Sequence, residues 1–335
     1  MPSVPFPVFR PHPLLRSGHA QTLAGVYLPW RHRAHRAVEH PVLVDDGDQI
    51  VLHDDQPADW QRNGGVCLMI HGLAGCRLSG YMQRIGAKLN DRGVRVFRMD
   101  MRGCGAGEGL ARLSTHCGRW ADAAAAVEFI ARKAPGSPLA LVGFSLGGTI
   151  ALNLAAELGG ARLGNLVALM AVCPPVDLHA VRRRFDTPTG RPYDRHFVRL
   201  LWEKTVRRMG QSADFARIHV ARPPRRLREY DEWITAPLAG YASADEYYTL
   251  TSPGPRFGEI RLPTTIVAAA DDPVVPLEPL LDLPRYEPID VVVTRHGGHL
   301  GYIGARNGDA DNRWMDWRVV EWAERVLDSS RNGPA

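Results

Sequence analysis

From Val66 onward the chain alternates short apolar runs with longer stretches in which apolar residues recur at helical spacing. VCLMI (Val66–Ile70), VRVFRMD (94–100), LALVGF (Leu139–Phe144), LVALMAVC (166–173), TTIVAAA (264–270) and IDVVVT (Ile289–Thr294) read as strands. Residues 79–90, 119–133 and 149–158 read as helices between them, and a tryptophan-bearing helix near 313–327 follows the last strand. Strands alternating with helices predict an α/β fold: a mostly parallel, twisted sheet covered by helices on both faces. Two more polar segments, 41–44 and 49–53, read as a leading pair of strands.

Between residues 177 and 258 the rhythm breaks. RRRF, RPPRRLREY and ADEYY occur here with little strand character, so the stretch reads as a mainly helical insertion. The expected organisation is a core formed by 1–176 and 259–335, with 177–258 as a cap. Ligands of open α/β sheets bind beyond the carboxyl ends of the strands, where such a cap sits. Its Trp202, Phe215, Trp233, Tyr247 and Tyr248 are expected to line an apolar channel, and Arg182 and Arg225 to favour anionic head groups.

Composition narrows the class. The chain has 335 residues, 45% hydrophobic and 23% charged, as ordinary globular proteins do. A formal net charge of +5 permits anionic ligands without calling for nucleic acid, since acids are interspersed among the arginines. Cys67, Cys76, Cys104, Cys117 and Cys173 are odd in number and form no C-x-x-C pair, which argues against a disulfide framework or a zinc knuckle and suits a reducing cytoplasm. RGCGAGEG (102–109) lacks both the dinucleotide spacing and a P-loop lysine, so no cofactor or metal is expected. The N-terminal MPSVPFPVFRPHPLL has no continuous apolar region, and no stretch reaches the ~18 apolar residues of a membrane span. A soluble, cytoplasmic protein is expected, with peripheral membrane contact still compatible.

The chemistry concentrates at strand ends. Gly143-x-Ser145-x-Gly147 matches the nucleophile elbow, and the apolar run before it and the helical run after it supply the strand–turn–helix context the motif needs. A serine hydroxyl needs a base and a group to orient that base. In this kind of fold they follow in the order Ser, Asp or Glu, His. DDPVVP follows one late strand and RHGGHLG the next. His299, flanked by Gly297, Gly298 and Gly301 in what reads as a flexible loop, is preferred over His296 as the base. Asp272, with its D-x-x-V-P spacing, is preferred over Asp271 as the acid. For an oxyanion, the backbone N–H groups of Leu146 and of Leu73 in HGLAG are the expected donors.

Taken together these residues resemble the α/β-hydrolase superfamily, and within it the AB-hydrolase-4, or YheT-like, branch. GHAQTL (18–23), HGLAG, YMQRIGAKLNDRG, MRGCGAG, GFSLGG, CPPVDL, ADEYYTLTS, AADDPVVP and GGHLG carry the resemblance over nearly the whole chain, with Ala20 standing where relatives often carry leucine. The resemblance implies a serine hydrolase with Ser145, His299 and Asp272 as its triad, acting on a small-molecule or lipid-like acyl ester. Acyl transfer to an alcohol from the same acyl-enzyme, and a non-catalytic ligand-binding module on the same fold, are the alternatives.

Overall fold

The computed structural model describes residues 6–30, 37–210, 213–216, 218–306 and 308–331. Eight strands form one sheet: β1 (Val38–Leu43), β2 (Gln49–Asp55), β3 (Val66–Ile70), β4 (Arg95–Asp100), β5 (Leu139–Phe144), β6 (Leu166–Val172), β7 (Thr264–Ala269) and β8 (Ile289–Thr294). They lie in the order β1-β2-β4-β3-β5-β6-β7-β8, with β1–β2 and β2–β4 antiparallel and the other pairings parallel. The helices that position the site are α1 (Gly18–Tyr27), α2 (Gly80–Asn90), α3 (Trp120–Lys133), α4 (Leu146–Leu158), α5 (Leu178–Asp186) and α6 (Arg191–Met209), with a C-terminal helix at Trp314–Arg331.

The alternation of side chains along each strand builds two cores. Val66, Leu68 and Ile70 of β3 face the layer that holds Val127 and Ile130 of α3 and Ile150 and Leu154 of α4. Cys67 and Met69 face the opposite layer, with Met82 and Ile85 of α2 and Trp314 and Trp322 of the C-terminal helix. With helices on both faces, the central strands have no solvated side, which is why they read as continuous apolar runs.

β1 and β2 form the expected leading pair of strands, and β2 is polar yet largely buried. From Ile50 onward it is buried, and its polar residues persist there because each is matched on β4. Arg95 makes two bonds to Asp54 (2.8 and 2.6 Å), Arg98 meets Asp55 at 2.9 Å, and His53 meets Asp100 at 2.9 Å. Buried charge is tolerated when paired in this way. α1 has no clear helical pattern in the sequence; it is capped by the Ser17 hydroxyl, which accepts the Ala20 N–H at 3.2 Å. α4 begins at Leu146, directly after the elbow serine, rather than at 149.

Between β6 and β7 the chain forms α5, α6, several single turns, a helix at Ala244–Thr251 and a 3₁₀ turn at Gly254–Glu259. These elements have small cores of their own, such as Val198, Tyr230 and Ile234 with Trp202 and Trp233 packed against them. All five cysteines are free thiols. No helix among the described residues is long and apolar enough to cross a membrane.

Candidate active site

Ser145 is the single residue between β5 and α4, and it sits at φ 50°, ψ −119°. That region is strained for any residue with a Cβ, so the surroundings must hold it there. The two flanking glycines are what make the turn possible. A Cβ on Gly143 would lie 2.3 Å from the Gly147 carbonyl oxygen, and one on Gly147 would lie 2.4 Å from the Ile70 oxygen. Both obstacles are backbone and cannot move aside, so only glycine fits.

The hydroxyl thus presented meets two other buried groups. His299 Nε2 lies 2.9 Å from Ser145 Oγ, and His299 Nδ1 lies 2.8 Å from Asp272 Oδ2. The other carboxylate oxygen of Asp272 accepts the N–H groups of Val274 (2.7 Å) and Val275 (2.9 Å). An ionised carboxylate only accepts, so the imidazole proton belongs on Nδ1 and Nε2 is bare toward the serine. The structure therefore brings Ser145, Asp272 and His299 into one chain of hydrogen bonds.

The rivals stand elsewhere. Asp271 and His296 face each other at 3.4 Å, and Asp271 Oδ1 accepts the Gly298 N–H at 2.8 Å, bracing the loop from outside. That loop does not owe its glycines to flexibility. A Cβ on Gly298 would lie 2.2 Å from the Gly18 oxygen, and one on Gly301 would lie 2.3 Å from the Gln21 oxygen. The glycines let the loop press against α1.

Leu73 and Leu146 line the same pocket as Ser145. Gly72 comes so close that a Cβ on it would stand 3.2 Å from Ser145 Cβ. The loop is held from behind by Tyr81, whose hydroxyl accepts the Gly72 N–H at 2.9 Å, and by His71 Nδ1, which donates to the Gly72 oxygen at 2.8 Å. Burial pushes the Tyr81 hydroxyl up to about 12 and the His71 imidazole down to about 4, so both are neutral at pH 7. Among the described residues neither the Leu73 nor the Leu146 N–H has an acceptor. The Leu146 group also lies at the positive end of the α4 dipole.

Residues 66–305 match the family described as the alpha/beta hydrolase fold. The chain belongs to this family. It is 30% identical over 291 residues to the putative esterase YheT of Escherichia coli K12, covering 85% of this chain and 84% of that protein, which places it in the YheT-like branch. It is 25% identical over 280 residues to phospholipase ABHD3 of Mus musculus, covering 78% of this chain and 65% of that protein. Among solved structures, the ferulic acid complex of Est1E from Butyrivibrio proteoclasticus shares the fold, with a TM-score of 0.55, 18% identity, and coverage of 86% of this chain and 99% of that one.

In this α/β hydrolase a pocket opens at Ser145 and Leu146 and runs beneath the helical segment. Its apolar lining includes Leu178, Val181, Phe185, Phe197, Leu201 and Ile234. Of the five aromatics expected to line a channel, Tyr247 and Tyr248 do so. Trp202 and Trp233 pack into the small core described above, and Phe215 is fully buried beneath the Arg208 guanidinium at 4.2 Å. These three are structural because each is engaged by its own helical neighbours. Arg182 lines the pocket, whereas Arg225 lies with Arg195 and Arg199 in a separate surface hollow.

Cys173, Asp272 and His299 place donor atoms within 4.8 Å of one another. They do not fit a cation: both His299 nitrogens are engaged, and burial pushes the Cys173 thiol up, so it stays protonated. Two site residues escaped sequence reasoning, both in GHAQTL. Thr22 Oγ1 accepts the His299 N–H, and Gln21 bonds both the N–H (2.6 Å) and the oxygen (3.0 Å) of Ile303. The motif itself was the available signal, but nothing local says what α1 touches.

Proposed function

We propose that the chain is a carboxylic-ester hydrolase working through an acyl-enzyme on Ser145. The observation that carries this is the relay from Asp272 through His299 to the Ser145 hydroxyl at the floor of an apolar-lined pocket. Ser145 attacks the ester carbonyl while His299 Nε2 takes its proton. Asp272 holds the imidazole in that tautomer and stabilises the imidazolium as it forms. The N–H groups of Leu73 and Leu146 receive the negative charge of the tetrahedral intermediate. His299 then returns the proton to the departing alcohol, and water repeats the sequence on the acyl-enzyme. The segment 177–258 serves as the cap that shapes the pocket.

Fluorophosphonate labelling tests the reading, together with p-nitrophenyl ester turnover by the intact protein and by Ser145→Ala. The intact protein should label and turn over, and the variant should lose on the order of 10³–10⁶ in kcat while staying folded. An unlabelled intact protein would leave a binding module on the same fold. Near-normal turnover by pure Ser145→Ala would overturn the assignment of the nucleophile.

A further inference from the structure

Lys204 reaches from α6 into the pocket that Ser145 lines, and it differs from the other cations there. Arg102 is held by Asp122, Asp46 and Asp48, and Arg119 by Asp46. Arg182 pairs with Asp186, Arg226 with Asp194 and Arg228 with Asp245. Among the described residues Arg208 has no carboxylate partner, but its guanidinium donates to Ser114 Oγ and to the oxygens of Ala111 and Leu113. Lys204 has only the Ala74 oxygen at 3.5 Å and Cys104 Sγ at 3.8 Å, and among the described residues no carboxylate pairs with it. The Cys104 thiol is pushed up by burial and stays neutral. The remaining pocket acid, Asp231, is no partner either, because its two oxygens accept the hydroxyls of Thr235 and Tyr248.

An ammonium with three donors and no counter-ion, half-buried in a mainly apolar pocket, is under-satisfied until something anionic arrives. Its place is set by Ala74, the residue after the Leu73 amide. We propose that Lys204 receives an anionic group, a carboxylate or a phosphate, carried by the ester substrate. The inference rests on the esterase reading above and names the substrate class it serves. Charge-assisted bonding at Lys204 holds such a substrate while its carbonyl meets Ser145. A lysine suits this because it is a compact charge that either kind of anion can approach.

The test is a comparison of matched esters on the full chain. One pair is p-nitrophenyl pentanoate and mono-p-nitrophenyl glutarate, which differ by a terminal carboxylate. The other is a monoacylglycerol and the lysophosphatidate of the same acyl chain, which differ by a phosphate. The pair that responds identifies the anion. Lys204→Gln should cut kcat/KM for the anionic member of at least one pair by about tenfold while leaving its neutral member within about twofold. Lys204→Glu should cut it further, and Lys204→Arg should restore it. Thermal midpoints measured alongside show whether each variant folds, and a misfolded glutamate variant leaves the glutamine and arginine variants to decide. An anionic-to-neutral ratio equal in the intact protein and in Lys204→Gln, for both pairs, overturns the proposal and leaves the esterase reading standing. Absence of turnover of all four esters by the intact protein overturns both.

Discussion

Thr22 Oγ1 accepts the backbone N–H of His299 at 2.9 Å, across 277 positions of sequence, while donating its own proton to the Gly18 oxygen at 2.7 Å. The imidazole is therefore aimed from two directions: Asp272 fixes its ring, and α1 fixes its backbone. Thr22→Val keeps the shape of the side chain and leaves the His299 N–H without an acceptor. A buried orphan donor costs about 1–3 kcal/mol, so the loop should relax rather than bear it. Steady-state kinetics should show kcat lowered by about tenfold with KM little changed, as a positioning role requires. An unchanged kcat would mean that α1 only covers the loop.

The loop acids and histidines make a sharper comparison. Asp272→Asn should lower kcat by on the order of 10³–10⁴, because the amide favours the wrong imidazole tautomer. His299→Ala should cost at least as much. Asp271→Asn loosens the bond to the Gly298 N–H, and His296→Ala removes only the outer brace, so both should stay within about tenfold. A larger loss at Asp271 or His296 than at Asp272 or His299 would move the proposed acid–base pair to the outer brace.

What the sequence disclosed follows from the range over which each signal acts. The strands, α4 and the elbow are local patterns, legible as alternation and as Gly143-x-Ser145-x-Gly147. That Asp272 and His299 stand in loops after late strands is legible in DDPVVP and RHGGHLG. Contacts between distant segments were not. GHAQTL carries no periodicity that says it will lie against Gly298 and Gly301, so the sequence suggests flexibility where the glycines in fact allow close approach. The burial of the polar residues of β2 is not legible locally, because their partners, Arg95, Arg98 and Asp100, lie on another strand. Trp202 and Trp233 suggest a channel from residue type alone, which shows that an aromatic packs, not what it packs against.

Two buried histidines should each make the fold less stable as the pH falls. Burial, with Arg119 and Arg102 nearby, pushes His116 down to about 3, and burial pushes His71 down to about 4. His116 Nδ1 accepts the Gly118 N–H at 3.1 Å, which a protonated ring could not do. Well above pH 6.5 both rings are neutral whether the chain is folded or not. Below it the unfolded chain binds protons that the folded chain refuses, so stability falls as pH drops from 6.5 toward 4. At pH 5 each ring should cost about 2 kcal/mol. Denaturation midpoints between pH 7 and 5 should fall, and His116→Gln should fall less steeply over the same range. Parallel slopes for the two proteins would show that His116 does not titrate in this way.

Selection among acyl chains should follow the residues that line the pocket and not the cap aromatics buried elsewhere. Leu178, Val181, Phe185, Phe197 and Leu201 offer the apolar surface beyond Ser145. Each methylene buried there should add ~0.8 kcal/mol, up to about fourfold in kcat/KM, until the space is filled. A p-nitrophenyl ester series should therefore rise from acetyl to medium chains and then fall. Phe185→Ala and Leu201→Ala enlarge the pocket and should move the optimum to longer chains. Trp202→Ala and Trp233→Ala disturb a core of the helical segment and should lower stability with the optimum in place. An optimum that shifts with the tryptophans and not with Phe185 or Leu201 would mean that the acyl chain lies elsewhere. A flat profile in the intact protein would mean that this surface does not bind the acyl chain at all.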